Sequence, residues 1–370
     1  MSKKKKKNDG EPLNKGRNVK VFFQSVVIIA LIAAGSYTVA KIGIGISKLS
    51  PSSDIQKAQQ TEATTEMTLP FQAVYQQQSN DDVYSGDLIL VNNNIEYKGH
   101  GTENLVSIFD EKNELNPDGD NAFGVTDSSL MLRKNAADNL IAMLDKFYEE
   151  TGNDNVVVCS GYRTSETQQE LYDEDLESTG LDYSTRVALP GYSEHESGFS
   201  IDLTLYDGEY DGTGEYSWID ENCAKYGFIL RYPESKTELT SIEYEPWHYR
   251  YVGVPSAEYI MKNDLCLEEY ISLLKTSYQV SDDGSNILEF TSSDGKIYAI
   301  YYVAADESSD STYVPVPTDV DFEISGNNQD GFIISFDTGR TGTPDTENNS
   351  VDETEESTVS ESETETQPEN

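Results

Sequence analysis

Residues 21–40 of this 370-residue chain, VFFQSVVIIALIAAGSYTVA, hold no charged side chain and are mostly apolar. As a helix, a run of that length matches the hydrocarbon thickness of a bilayer, so it constrains everything on either side of it. Eight cations precede it (Lys3 to Lys7, Lys15, Arg17 and Lys20) against Asp9 and Glu11. Cationic residues collect on the cytoplasmic side of a span. Residues 1–20 are therefore expected inside the cell, 21–40 as a single-pass transmembrane anchor in the cell membrane, and the remainder outside. A cleavable signal peptide ending near Thr38-Val39-Ala40 is the competing reading. The apolar run is longer than a usual signal core, which favours the uncleaved anchor, and both readings export the bulk of the chain.

Charge narrows the partners. The first twenty residues are +6 while the whole chain is −41, which leaves −47 on the other 350. Phosphates would be repelled by that body, so nucleic acid is excluded as a partner. Export permits disulfides, but Cys159, Cys223 and Cys266 are odd in number and lie within apolar patterns, so buried free thiols are expected. Oligomeric state is not legible.

Polar segments flank the expected folded part. Residues 41–85, with KAQQTEATTE and YQQQSNDD, carry few large aliphatics and read as a disordered linker. After Arg340 the tail at 341–370 has ten acidic residues and no basic one, which reads as a solvated, disordered end. Between them, DLILVNN (87–93) is a candidate strand. The spacing of Leu140, Ile141, Leu144, Phe147 and Tyr148 predicts a helix over about 129–150 stopped by Gly152. VVVCS (156–160), FSIDLTL (199–205), FILRY (228–232) and HYRYV (248–252) read as strands. Helices are expected after Thr164 or Ser165, with Ser165 to Gln168 matching a capping box, and over 218–226 and 257–275. Residues 276–340, with strands punctuated by Asp-Gly turns, read as a small β-rich appendage.

The chain has only three histidines. His195 and Asp202 sit in SEHESGFSID, a polar and small-residue setting unlike that of a packing histidine, and His248 sits in EYEPWHYRYVG. A loop residue and two strand residues of these types form a candidate zinc set, since catalytic zinc takes three nitrogen or carboxylate ligands and keeps one position open. Glu245, three residues before His248, is placed to act as general base for a bound water. His100, in YKGHGTEN, has no such company and reads as a surface loop residue.

The segments SGYRTSETQ (160–168), PGYSEHESGFSID (190–202), YGFILRYPESK (226–236) and YEPWHYRYVG (244–253) together resemble the zinc D-alanyl-D-alanine carboxypeptidases of the VanY type. The wider family also holds VanX-like D,D-dipeptidases and L,D-carboxypeptidases. The resemblance spans roughly 87–275 and implies an α+β, hedgehog/DD-peptidase-like catalytic domain at 86–275, with a small antiparallel sheet and flanking helices. It implies one Zn2+ per domain on His195, Asp202 and His248, with Glu245 handling the proton. It further implies that Arg163 stabilises the developing oxyanion or the substrate's charge, that Ser193 and Gln168 hold the peptide end, and that Trp247 shapes the pocket. Ser200 stands where the family usually has Ala, and Thr164 where Ser is commoner after the arginine. The function implied is removal of the terminal D-Ala from peptidoglycan stem peptides. An L,D-carboxypeptidase or endopeptidase on the same peptides is the alternative within the family, and a non-catalytic wall-binding or adhesion protein is the alternative outside it.

Overall fold

The computed structural model describes residues 69–99, 102, 104–116, 122–184, 186–280 and 285–344. The basic start, the 21–40 segment, most of the expected linker, His100 and nearly all of the acidic tail lie outside the described residues. Among the described residues no helix is long and apolar enough to cross a membrane.

The sheet that positions the site has five strands in the order Gly124–Val125, Val156–Ser160, Ser200–Leu205, His248–Tyr251 and Phe228–Leu230. Its pairings are antiparallel apart from the first, which is parallel. Alternation decides its two faces. Ile201 and Leu203 enter the main core with Val156 and Val158, while Asp202 between them points the other way. The helix Lys134–Thr151 supplies Ala137, Leu140, Ile141, Leu144 and Phe147 to that core. It ends as its sequence predicts, with Gly152 in the left-handed region at φ 69° and its N–H bonded to Tyr148 O.

A second, four-stranded antiparallel sheet runs in the order Phe322–Gly326, Gly331–Thr341, Lys296–Ala304, Leu288–Thr291. The strands from Leu288 onward make this region β-rich, and it packs against the α+β part. Leu288, Phe290, Ile300, Tyr302 and Ile333 share one core with Ile229, Val252, Ala257, Ile260 and Leu267 of the α+β part.

Three expectations are corrected. The expected linker contains a strand, Ala73–Ser79, which pairs along its full length with Ser311–Pro317. Its Gln-rich sequence buries little by itself, and the ordering comes from a partner some 230 residues away. Residues 87–93 form no ladder. Leu88, Ile89, Leu90 and Val91 are buried, yet their backbone groups are satisfied largely by side chains. The expected helix over 257–275 is two helices, Val254–Lys262 and Leu267–Ser277, because Asp264 takes a left-handed φ of 48° and Glu269 caps the second through Cys266 N. The three cysteines are free, with Cys223 and Cys266 buried as expected.

Candidate metal centre and substrate cleft

Strand register places the donors. Asp202 is directly opposite His248 in the antiparallel pair, so their side chains leave the sheet on one face. His195 arrives from a single 3-10 turn, Glu194–Ser197, that Gly198 closes with φ 76°. A side chain at Gly198 would also meet Leu105 at 2.9 Å, so only glycine lets the chain turn back into the Ser200–Leu205 strand here.

One donor atom from each of His195, Asp202 and His248 lies within 4.8 Å of the others. His195 Nε2 is 3.3 Å from Asp202 Oδ2, and His248 Nδ1 is 3.0 Å from Asp202 Oδ1. That buried oxygen has no hydrogen bond of good geometry despite the short approach. Buried oxygens are normally satisfied, so an orphan beside two imidazole nitrogens is the signature of donors turned toward a shared cation. The other ring nitrogens face outward from the cluster. His195 Nδ1 is 2.7 Å from Gly161 O, and His248 Nε2 is 3.5 Å from Glu194 Oε2. The Gly161 carbonyl fixes the His195 tautomer and leaves Nε2 as its lone-pair donor, whereas His248 Nε2 makes no hydrogen bond of good geometry and meets Glu194 only as a charge contact.

Electrostatics follow from burial and neighbours. Burial would raise the Asp202 carboxyl, but the two imidazoles hold it well below its usual value. Burial lowers His195, helped by Arg163. Burial also pulls His248 down, but the carboxylates of Asp202 and Glu194 outweigh it and raise the ring to about 9. Glu245 Oε2 is 3.7 Å from His248 Nδ1, and burial pushes its carboxyl up to about 7 despite the nearby imidazole. A carboxylate with a raised pKa next to a donor cluster is suited to taking and returning a proton near neutral pH.

These groups open into a cleft of about 570 Å³ lined by all eight residues expected from the sequence: Arg163, Gln168, Ser193, His195, Asp202, Glu245, Trp247 and His248. Arg163 donates through Nη2 to Asp202 Oδ2 at 2.8 Å and to Ser160 Oγ at 2.7 Å. Gln168 does not close the expected capping box. Thr164 is the N-cap, accepting from Thr167 N, and the Gln168 amide instead donates to Ala188 O at 2.8 Å beside Arg163. Ser193 is buried in the cleft wall and Trp247 stands half exposed at its mouth. Tyr232, whose ring centroid is 4.9 Å from that of His248, was not anticipated, and neither was Glu194. The available signal was the arginines in FILRY and HYRYV. Arg231 and Arg250 are fully buried, and a buried arginine in a strand requires a buried carboxylate.

Two imidazoles and a carboxylate held by a sheet and a turn, with a raised-pKa glutamate beside them in a cleft, define a metal-dependent hydrolase. The family model of D-alanyl-D-alanine carboxypeptidase, VanY, matches residues 129–254. A D-alanyl-D-alanine carboxypeptidase of Enterococcus faecium is 35% identical over 294 residues, covering 79% of this chain and 86% of the relative. The bifunctional D-Ala-D-Ala dipeptidase and carboxypeptidase VanXYC of Enterococcus gallinarum is 45% identical over 119 residues, 30% of this chain and 63% of its own. Among solved structures, the vancomycin-resistance D,D-dipeptidase VanXYg, in complex with a D-Ala-D-Ala phosphinate analogue, superposes with TM-score 0.61 at 30% identity. That match takes in 72% of this chain and 99% of that one. The chain belongs to the VanY family of D-alanyl-D-alanine carboxypeptidases and is a metallocarboxypeptidase of the α+β fold.

Proposed function

We propose that this protein is a zinc enzyme that removes the terminal D-Ala from peptidoglycan stem peptides, working outside the cell from a membrane anchor at residues 21–40. The observation that carries the reading is the convergence of three donors within 4.8 Å, with the orphaned Asp202 Oδ1 among them, in a cleft that also holds Glu245 and Arg163. The donor set, two imidazoles and one carboxylate with room for solvent, fits zinc. The names of the Enterococcus relatives support the substrate. The cationic start followed by the apolar run supports the anchor, with the residues before the Ala73–Ser79 strand leading out to the folded part, the peptidase at 86–275 and the acidic tail from 341.

Zinc on His195, Asp202 and His248 would supply Lewis-acid activation of water and of the scissile carbonyl. The chain does the rest. Glu245 takes the proton from the attacking water and returns it to the departing amine of D-Ala. Arg163, oriented by Ser160 and Asp202, faces the negative charge that develops on the carbonyl oxygen. Ser193 and Gln168 line the wall that holds the terminal carboxylate, while Tyr232 and Trp247 close the cleft around the peptide.

The test is metal analysis of the purified full chain together with mass measurement of products from penta- and tetrapeptide stems. About one zinc per chain and loss of a single D-Ala from the pentapeptide are expected. Cleavage of the tetrapeptide alone would replace this reading by an L,D-carboxypeptidase.

A further inference from the structure

Segment 87–91 lies between the peptidase and the C-terminal sheet and alternates its attachments like a strand without a ladder. On the peptidase side, Arg250 Nη2 donates to the carbonyls of Asp87 and Ile89, both at 2.9 Å. On the other side, Leu88 N donates to Ser325 Oγ at 2.8 Å, and Asn328 Nδ2 donates to Leu90 O at 2.8 Å. Side chains follow the same rule. Ile89 joins the peptidase core while Leu88 and Leu90 join the core shared with the second sheet.

Arg250 continues the connection inward. Its Nη1 donates to Glu194 Oε1 at 2.8 Å, and Arg231 Nε donates to the same oxygen at 2.8 Å. Glu194 is thus locked between two fully buried guanidinium groups, with its second oxygen 3.5 Å from His248 Nε2. That contact is electrostatic and not a hydrogen bond of good geometry, yet a fixed negative charge at this distance favours the proton on Nε2 and so the lone pair on Nδ1, the nitrogen beside Asp202.

We propose that Ser325, in the C-terminal sheet, and Asn328, in the turn that follows its strand, are positioning residues for His248, acting through segment 87–91, Arg250 and Glu194. The second sheet is then part of what makes the metal centre tight. Asn328 is suited to this. It is buried, it takes a left-handed φ of 63° at the turn between two strands, and its amide bonds both Leu90 O and Glu96 O at 2.8 Å. This inference rests on the zinc reading above.

The experiment measures zinc affinity by chelator competition and the visible absorption of the Co(II)-substituted full chain, neither of which depends on turnover. Glu194→Gln is expected to weaken zinc binding by about 10- to 100-fold, the range typical of a partner that orients a ligand directly, and Asn328→Ala by roughly three- to tenfold because it acts at a remove. Both should shift the cobalt bands. Ser325→Ala, which removes one hydroxyl, carries the same test should Asn328→Ala not fold. Tyr301→Phe is the control: it deletes a buried hydrogen bond to Pro315 O in the same half of the molecule but has no link to segment 87–91, so both readouts should stay at wild-type values. Wild-type affinity and spectrum in the Asn328 and Ser325 variants would overturn the inference, and so would an equal shift in Tyr301→Phe. A wild-type chain that binds neither metal would instead remove the functional reading first.

Discussion

The five-stranded sheet that carries Asp202 and His248 packs around fully buried Arg231, Arg250 and Glu194, whereas the buried polar residues of 285–344 are all neutral: Ser292, Thr312, Ser325, Asn327, Asn328 and Ser335. Both regions have apolar cores of ordinary character, built on Leu140, Phe147 and Ile201 in one and on Tyr301, Phe332 and Ile334 in the other. The difference is therefore not a matter of how much surface is hidden. Taking a charge out of water is expensive unless partners surround it, and an ion pair of this kind adds little stability over apolar residues of the same size. Its presence in one sheet and absence in the other points to what that sheet must hold in place, which is His248.

The sharpest way to break the comparison is at the cleft. Glu245→Ala should lower kcat by about 10²- to 10⁴-fold, the usual contribution of a general base, while zinc content by metal analysis stays near that of the parent. His248→Ala should instead lose the metal. Next in size, Glu194→Ala leaves two guanidinium groups buried without their shared partner and should destabilise the fold by about 3–5 kcal/mol in urea titration. In the second sheet, Tyr301→Phe removes a neutral hydrogen bond and should cost only about 1 kcal/mol. Equal losses from these two variants would erase the distinction drawn between the sheets.

The pH dependence is smaller and separates the carboxylates by sign. Burial pushes Glu245 up to about 7, and the base acts only when ionised, so kcat/KM should fall tenfold per pH unit on the acid side of its ionisation. A cation in the cleft favours the ionised form, so in the zinc-loaded enzyme this limb should lie below 7. In metal-free protein, the raised Glu245 carboxyl contributes stability at pH below its ordinary value of 4.5, lost as pH rises through 7. Glu194 and Asp202 are held below their usual values, so their contribution is present above the ordinary carboxylate range and is lost as the medium is acidified. Thermal melts of metal-free protein across pH 3–8 should therefore show the acid loss, and Glu194→Gln should flatten it.

Much of the peptidase was legible because its signals are local. The apolar spacing of Leu140, Ile141, Leu144 and Phe147 and the stop at Gly152 belong to one helix, and VVVCS is a strand bounded as read. The strand Ala73–Ser79 was not legible, because glutamines at 76–78 become a strand only when Val314, Tyr313 and Thr312 stand opposite them. Segment 87–93 was read as a strand from its apolar residues, correctly as to the burial of Leu88 to Val91 and wrongly as to pairing, because most partners of its backbone at 87–90 are side chains distant in sequence. Of the two caps expected, Thr164 and not Ser165 is the one formed, so the capping box that would have engaged Gln168 is absent and its side chain lines the cleft, where the resemblance had put it.

For the site, the chain's own order of residues offered a candidate zinc set, His195 with Asp202 and His248 with Glu245, and the resemblance of four segments to the VanY type implied the role of each. Only the tertiary structure decided that Asp202 and His248 stand opposite each other, that Glu194 backs the ring, and that a second sheet grips the segment behind it. The physical reason is range. Side-chain chemistry and turn preferences act over a few residues and can be read in order, whereas register and the satisfaction of buried charge depend on groups that only folding brings together.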